Sequence, residues 1–231
     1  MSELYLVRHG QASFGADNYD QLSELGFEQS RLLGQYLAAR EVVFDHLIGG
    51  DLQRHRQTLK SICDGMRREI TVPHHIHPGL NEYHFEALVQ AFSNQNPQNP
   101  LVQKLAEEPV DKRLYYRLLR QVLMAWSEDQ LHDIPESWTD FQQRVLDARA
   151  MLQTLAEPGN RILVVSSGGA ISLFIGSVLA LSPSKVFELN LQMRNTGMSH
   201  FYFNRDMINL SSFNTVPHLD LPGQANLITY G

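Results

Sequence analysis

Cysteine is nearly absent from this chain of 231 residues: Cys63 stands alone. No intrachain disulfide can form, and the fold must rest on its apolar core. Long apolar runs are also missing, and no basic stretch passes into an apolar one near the start. Neither a membrane span nor a secretion signal is therefore expected, and the expected location is cytoplasmic. Positive charge is in deficit, with 19 Lys and Arg against 25 Asp and Glu and a formal net charge of −6. This balance argues against nucleic acid or an anionic membrane as a partner, so any phosphate site must be a local one. No internal repeat or extended low-complexity tract is present.

What the chain does have is enough length, and 43% hydrophobic residues, to bury one large α/β core. Residues 3–8 read as a buried strand, followed by a helix from about 24 to 40 with Ser23 as N-cap and Leu25, Leu32, Leu33, Tyr36 and Leu37 as its apolar stripe. A strand at 45–49 and a helix at about 52–67 repeat the pattern, and Cys63 falls inside that helix, as a packing residue and not a nucleophile. The run Ser93 to Pro100 is the most loop-like stretch. Beyond it, Val110, Leu114, Leu118, Val122 and Trp126 fall four apart, and Trp138, Phe141, Val145, Ala148, Leu152 and Leu155 alternate spacings of three and four. Both are structural helices, with Trp126 and Trp138 as core residues. Arg161 to Ser167 reads as a buried parallel strand, Gly168-Gly169 as a turn, and Ala170 to Leu181 as an apolar helix. A hairpin about Asn204-Arg205-Asp206 ends the pattern at the sheet edge. Alternating strands and helices imply a mostly parallel sheet in a three-layer sandwich, with ligands at the carboxyl ends of the strands.

Three of those ends carry chemistry: Arg8-His9-Gly10, Gly49 to Arg54, and Ser166 to Gly169. They are expected to converge. A buried strand gains nothing from an arginine and a histidine at its tip, whereas an anion site at helix N-termini does. Arg54 falls in the first turn of its helix, so with Arg8 it can grip phosphate oxygens bidentately. His9 between two cations is a candidate nucleophile, because their charge keeps its imidazole neutral.

These residues resemble the histidine phosphatase superfamily, in its phosphoglycerate-mutase-like branch. The R-H-G signature matches Arg8-His9-Gly10, and L-S-x-x-G matches Leu22-Ser23-Glu24-Leu25-Gly26, followed by Gln29-Ser30. Gly50-Asp51-Leu52-Gln53-Arg54-His55-Arg56-Gln57-Thr58 matches S-D-L-x-R-x-x-Q-T, and Leu80-Asn81-Glu82 matches L-x-E. The resemblance runs from residue 4 to about 90 and resumes near 161 to 200, so the whole chain reads as a single domain, 1–231, with a helical insertion at about 83–157 covering one end of the site. It implies that His9 is the nucleophile, that Arg8 and Arg54 bind the phosphoryl group, and that Glu82 protonates the leaving oxygen. No cofactor or metal is implied. The expected partner is a small phosphorylated substrate or inorganic phosphate; the sequence fixes neither the physiological substrate nor the oligomeric state.

Two positions depart from the family pattern. The second histidine of S-H-G-G is Ser167 here, before Gly168, and the serine ahead of Asp51 is Gly50. Ser167 can give one hydrogen bond to a phosphoryl oxygen but no positive charge. The expected activity is therefore phosphomonoester hydrolysis through a phosphohistidine, slowed by the loss. A catalytically weak phospho-ligand binder is the alternative. A mutase ranks last, because no dense basic substrate motif marks the insertion. His55 and His84 could replace the missing imidazole, and His200 has a weaker claim; the sequence favours an uncompensated loss, since no histidine follows the later strand within reach of its tip. Gln11, Ser13, His55 and His84 are candidates for contacts to the rest of the substrate. His74-His75-Ile76-His77, between prolines, reads as a loop leading to Glu82 and not as a metal site. Lys112, Arg113, Arg117 and Arg120 read as a solvated helix face, with a phosphate-attracting lid as the sharper alternative.

Overall fold

The computed structural model describes residues 1–13, 20–67, 72, 74–107 and 112–230. Its elements run β1 (Ser2–Arg8), α1 (Glu24–Ala39), β2 (His46–Gly49), α2 (Gln53–Met66), β3 (His74–Ile76), α3 (Phe85–Gln95), α4 (Pro100–Glu107), α5 (Lys112–Ser127), α6 (Trp138–Thr154), β4 (Arg161–Ser166), α7 (Gly168–Leu179), α8 (Pro183–Asn190), β5 (Met198–Phe203) and β6 (Ile208–Thr215). The strands form one sheet in the order β3-β2-β4-β1-β5-β6. The pairs β1/β4, β2/β4 and β2/β3 are parallel, and the C-terminal hairpin adds β5 and β6 antiparallel at one edge.

Side-chain alternation divides the core between the two faces. Leu4, Leu6, Ile48, Ile162 and Val164 join the larger cluster, which continues through Phe174 of α7 into Trp126, Trp138, Phe141 and Val145 of α5 and α6. Val7, Leu47, Leu163 and Val165 pack with Leu33, Leu37, Leu59 and Ile62 of α1 and α2. The result is a three-layer sandwich, as the alternation of elements predicts. Trp126 and Trp138 meet edge to face at 5.1 Å in the core. Among the described residues no helix is long and apolar enough to cross a membrane.

Four local expectations need correction. His74–Ile76 is not a loop but a short edge strand, parallel to β2 and exposed along its length. Exposure on both faces leaves no apolar alternation for a sequence to show. The loop-like run from Ser93 begins inside α3, which continues to Gln95; Asn96 ends it, and Asn99 starts α4 by accepting from the Leu101 N–H at 2.9 Å. The Gly168-Gly169 turn is the first turn of α7 itself, with Ser167 in the N-cap position. Leu181 lies beyond that helix, which ends at Ala180 in the left-handed region, φ 53°, before the Ser182-Pro183 start of α8. Val110 of the expected stripe lies outside the described residues.

Arg144 of α6 fastens the helical segment to the loop that carries Glu82. Its guanidinium pairs with Glu136 and donates to the carbonyls of Asn81 (2.7 Å), Gly79 (3.2 Å) and Glu82 (3.3 Å). Arg144→Met is expected to lower stability by about 1.5–3 kcal/mol in urea unfolding, since hydrogen bonds to a charged group are lost and buried carbonyls are left unpaired. A change below ~0.5 kcal/mol, the range of ordinary surface substitutions, would show that the network carries no load.

Candidate active site

The three strand ends converge, and the residues that follow β1 are the most firmly held. The His9 N–H donates to the Ser166 carbonyl at 2.9 Å, and the His9 carbonyl accepts from the Thr196 N–H and from Asn195 Nδ2, both at 3.3 Å. Gly10 N–H donates to Thr58 Oγ1 at 3.0 Å, so the threonine of the Q-T motif pins the turn after His9. The glutamine before it, Gln57, accepts from the Leu22 N–H at 2.8 Å. Thr196 is β-branched yet sits at φ 53° with a fully buried side chain, a strained position of the kind found beside functional sites.

The His9 ring is buried, at 4% exposure. Its Nδ1 lies 2.7 Å from the Gly10 carbonyl, which requires the proton on Nδ1. The lone pair is thereby left on Nε2, which accepts from Arg54 Nε–H at 3.3 Å. Burial first, then the charges of Arg54 and Arg8, hold the His9 pKa well below the usual range, so the imidazole is neutral. Arg54, also buried, extends to Asp20 Oδ1 at 2.7 Å, while Asp20 Oδ2 accepts from the Gln53 N–H at 2.9 Å. Asp20 thus offsets one guanidinium and caps α2. The sequence reading missed it, because a carboxylate that caps a distant helix leaves no local signature. Arg8 donates to the Met193 carbonyl at 2.5 Å and lies over Gly168, where a Cβ would be 3.5 Å from its Nε.

Glu82 joins the cluster through α7. Its Oε2 accepts from the Gly169 N–H at 3.1 Å, and Oε1 accepts from the Tyr83 N–H at 3.3 Å. A side chain at residue 169 would come within 2.3 Å of Glu82 Oε1, so this close approach requires glycine. The carboxylate therefore sits at the N-terminus of α7, beside Ser167 and Gly168.

The space beside Ser167 is filled, contrary to the expectation of an uncompensated gap: His55 Nε2 lies 2.7 Å from Ser167 Oγ, and the His55 ring centroid is 5.7 Å from that of His9. His84 is exposed at the N-cap of α3, and among the described residues it makes no hydrogen bond or ring contact with the cluster. His200 is engaged elsewhere, with Glu3 at 3.0 Å and between Tyr5 and Tyr202. Gln11 is half-buried just past the turn, where its Oε1 accepts from Ser23 Oγ at 2.9 Å. It lines a cavity of about 620 Å³ together with Tyr116, Leu191, Thr229 and Tyr230. The Ser13 N–H donates to the Gln21 carbonyl at 2.8 Å, and among the described residues no side-chain contact joins Ser13 to the cluster. Arg117 is exposed on α5, and Arg120 forms a surface pair with Glu188 at 3.5 Å. The Cys63 thiol, pushed up to about 11 mainly by burial, is inert.

Comparison with known proteins agrees with this geometry. Residues 4–216 match the family model of the histidine phosphatase superfamily, branch 1, and the chain belongs to that superfamily. It is similar to a probable phosphoglycerate mutase GpmB of Erwinia tasmaniensis, 27% identical over 86% of this chain and 84% of that protein. It is also similar to an adenosylcobalamin/alpha-ribazole phosphatase of Salmonella typhimurium, 25% identical over 82% and 85%. Among solved structures, Bacillus stearothermophilus YhfR matches with a TM-score of 0.69 at 17% identity, covering 94% of this chain and 99% of its own. A putative alpha-ribazole-5'-P phosphatase of Escherichia coli matches with a TM-score of 0.66 at 22% identity, covering 93% and 98%. At those identities the structural likeness concerns the fold.

Three buried histidines are held neutral: His9, His55, whose pKa is lowered by burial and then by Arg54, and His218, lowered to about 4 by burial. The unfolded chain protonates all three near pH 6.5 and the folded one does not, so stability is full above that pH. It should fall on acidification by up to about 1.4 kcal/mol per pH unit for each histidine. For His218 the loss levels off near pH 4. His218→Gln should reduce proton uptake on unfolding at pH 5 by about one; an unchanged slope of stability against pH would contradict a neutral His218.

Proposed function

We propose that the protein is a phosphomonoester hydrolase that works through a phosphohistidine on His9. The observation that carries this reading is the His9 ring itself, neutral, with its Nδ1 proton given to the Gly10 carbonyl and its Nε2 lone pair directed at the Arg54 guanidinium. A phosphoryl group gripped by Arg54 and Arg8 is thereby presented to a nucleophilic nitrogen. In the first step the Nε2 lone pair attacks phosphorus, the P–O bond to the leaving group breaks, and Glu82, protonated, gives its proton to the departing alkoxide oxygen. In the second step water attacks phosphorus, its proton passes to the Glu82 carboxylate, the P–N bond breaks, and inorganic phosphate leaves with His9 restored. Charge on the equatorial oxygens is met by both guanidinium groups, the Ser167 hydroxyl and the N-terminus of α7 with Gly168. The scheme needs no metal ion.

A small phosphorylated substrate is the reading we adopt for this site, with hydrolysis ranked ahead of mutase chemistry because no dense basic substrate motif marks the insertion. The relatives include several probable phosphoglycerate mutases as well as phosphatases, and a mutant phosphoserine phosphatase of Entamoeba histolytica in complex with phosphoserine shares the fold at a TM-score of 0.62. Apart from Leu191, the described lining of the cavity beside Gln11 is polar and aromatic, with Gln11, Tyr116, Thr229 and Tyr230 as hydrogen-bonding side chains for the rest of a small substrate. We take the helical segment at about 83–157 as the substrate-selecting insertion, with Tyr116 as its contribution to the cavity wall.

Wild type, His9→Ala and Glu82→Gln assayed against phosphorylated metabolites and an aryl phosphate test this reading. Wild-type turnover should persist in excess EDTA and vanish in His9→Ala. Glu82→Gln should slow alkyl esters by roughly 10²-fold or more and the aryl ester far less, because only the alkoxide needs a proton. Equal turnover by His9→Ala would overturn the nucleophile assignment. A uniform loss across leaving groups would remove Glu82 from its role.

A further inference from the structure

The two departures from the family's motifs, Gly50 and Ser167, lie on opposite sides of one imidazole. A Cβ on residue 50 would fall 2.2 Å from His55 Nδ1 and 2.7 Å from its Cε1. It would also fall 2.6 Å from Asn81 Oδ1, so glycine at 50 makes room for the His55 ring and the Asn81 side chain together. On its other edge, His55 Nε2 lies 2.7 Å from Ser167 Oγ. A carbon in place of that oxygen, as a histidine in the same rotamer would put there, is too close for a non-bonded contact to nitrogen. Position 55 therefore accepts an imidazole only while position 50 is glycine and position 167 is small. The three residues come from three different elements, the ends of β2 and β4 and the first turn of α2, and they close on one another beside His9.

We propose that His55 is the second imidazole of this site, relocated from the strand end to α2, and that it acts on the transferring phosphoryl group through the Ser167 hydroxyl. This rests on the phosphatase reading above. His55 is fully buried, and its Nδ1 has no hydrogen-bond partner among the described residues. An unpaired lone pair is tolerated in a buried site more readily than an unpaired N–H, so the proton belongs on Nε2, which donates to Ser167 Oγ. The hydroxyl hydrogen of Ser167 is then released for a phosphoryl oxygen. The hydroxyl makes no competing cap bond to the first turn of α7. A donor chained to a second donor is polarised by it and binds an anion more strongly than a lone hydroxyl. Burial and the Arg54 charge keep the ring uncharged in the empty site, so its contribution is an oriented donor and not a third fixed cation beside two guanidinium groups. In these terms His55 is a positioning residue, and Ser167 is the group that touches substrate.

An imidazole swap tests the inference. Inorganic vanadate affinity and kcat would be measured for wild type, His55→Ala, Ser167→His and the double variant His55→Ala/Ser167→His, with Tm recorded for each. His55→Ala should lose about 100-fold in kcat, the scale of one removed oxyanion donor, and bind vanadate at least tenfold more weakly. Ser167→His alone should also lose activity, because two rings compete for one space. The double variant should regain at least tenfold over either single one. Gly50→Ser should lower Tm in the wild-type background, and by less once His55 is alanine and only the Asn81 contact remains. If His55→Ala does not fold, the double variant, whose imidazole refills the space, still reports. A gain of activity in Ser167→His, or additive losses in the double variant, would overturn the inference while leaving the phosphatase reading intact. A wild type that neither binds vanadate nor turns over would overturn both.

Discussion

The architecture of this site depends on holding an uncharged imidazole beside two guanidinium groups, with all three side chains largely buried. Arg8 and Arg54 are each buried to within a tenth of full burial, and like charges at such depth repel unless something offsets them. Asp20 offsets part of the Arg54 charge, and the Met193 carbonyl accepts from Arg8. Burial first, and the charges of Arg54 and Arg8 after it, keep the His9 imidazole neutral. Most of the polar bonds around the β1 turn, from Thr58, Asn195, Thr196 and Ser166, fix the backbone on which that ring is mounted.

Legibility in the sequence followed the range of the interactions involved. The sheet strands β1, β2 and β4 and helices α1, α2, α5 and α6 announce themselves through periodicity, because each buries one face against a continuous core. His9, Arg8, Arg54 and Glu82 could be named because their motifs are contiguous and keep a fixed order. β3 could not, since an exposed edge strand is specified by the backbone of β2 and not by its own side chains. Nor could Asp20 or Arg144, which reach across the fold to partners 34 and more than 60 residues away. Ser13 and His84 lie near motif residues in sequence, and among the described residues neither makes a side-chain contact with the cluster.

The relation among Gly50, His55 and Ser167 shows how two departures from a motif can be coupled through one side chain. Each change, read alone, looks like a loss: a serine hydroxyl gone at 50, an imidazole gone at 167. Together they create the volume that the His55 ring fills. The sequence contained all three residues, and what it lacked was the rotation of α2 that sets His55 against the end of β4. The favoured sequence reading asked which histidine followed the later strand, when the residue that meets its tip comes from a helix 112 positions earlier.

The central claim is that a neutral His9 takes the phosphoryl group on Nε2, and trapping that bond tests it most directly. Wild type would be mixed with a slowly turned-over phosphate ester, quenched in base within the first turnover, and the peptide containing His9 examined by tandem mass spectrometry. The account predicts one phosphoryl group on His9, stable in base, released in acid, and absent from His9→Ala. A phosphoryl group on Ser13 or Ser167, or turnover with no covalent adduct at any time during the first cycle, would contradict it.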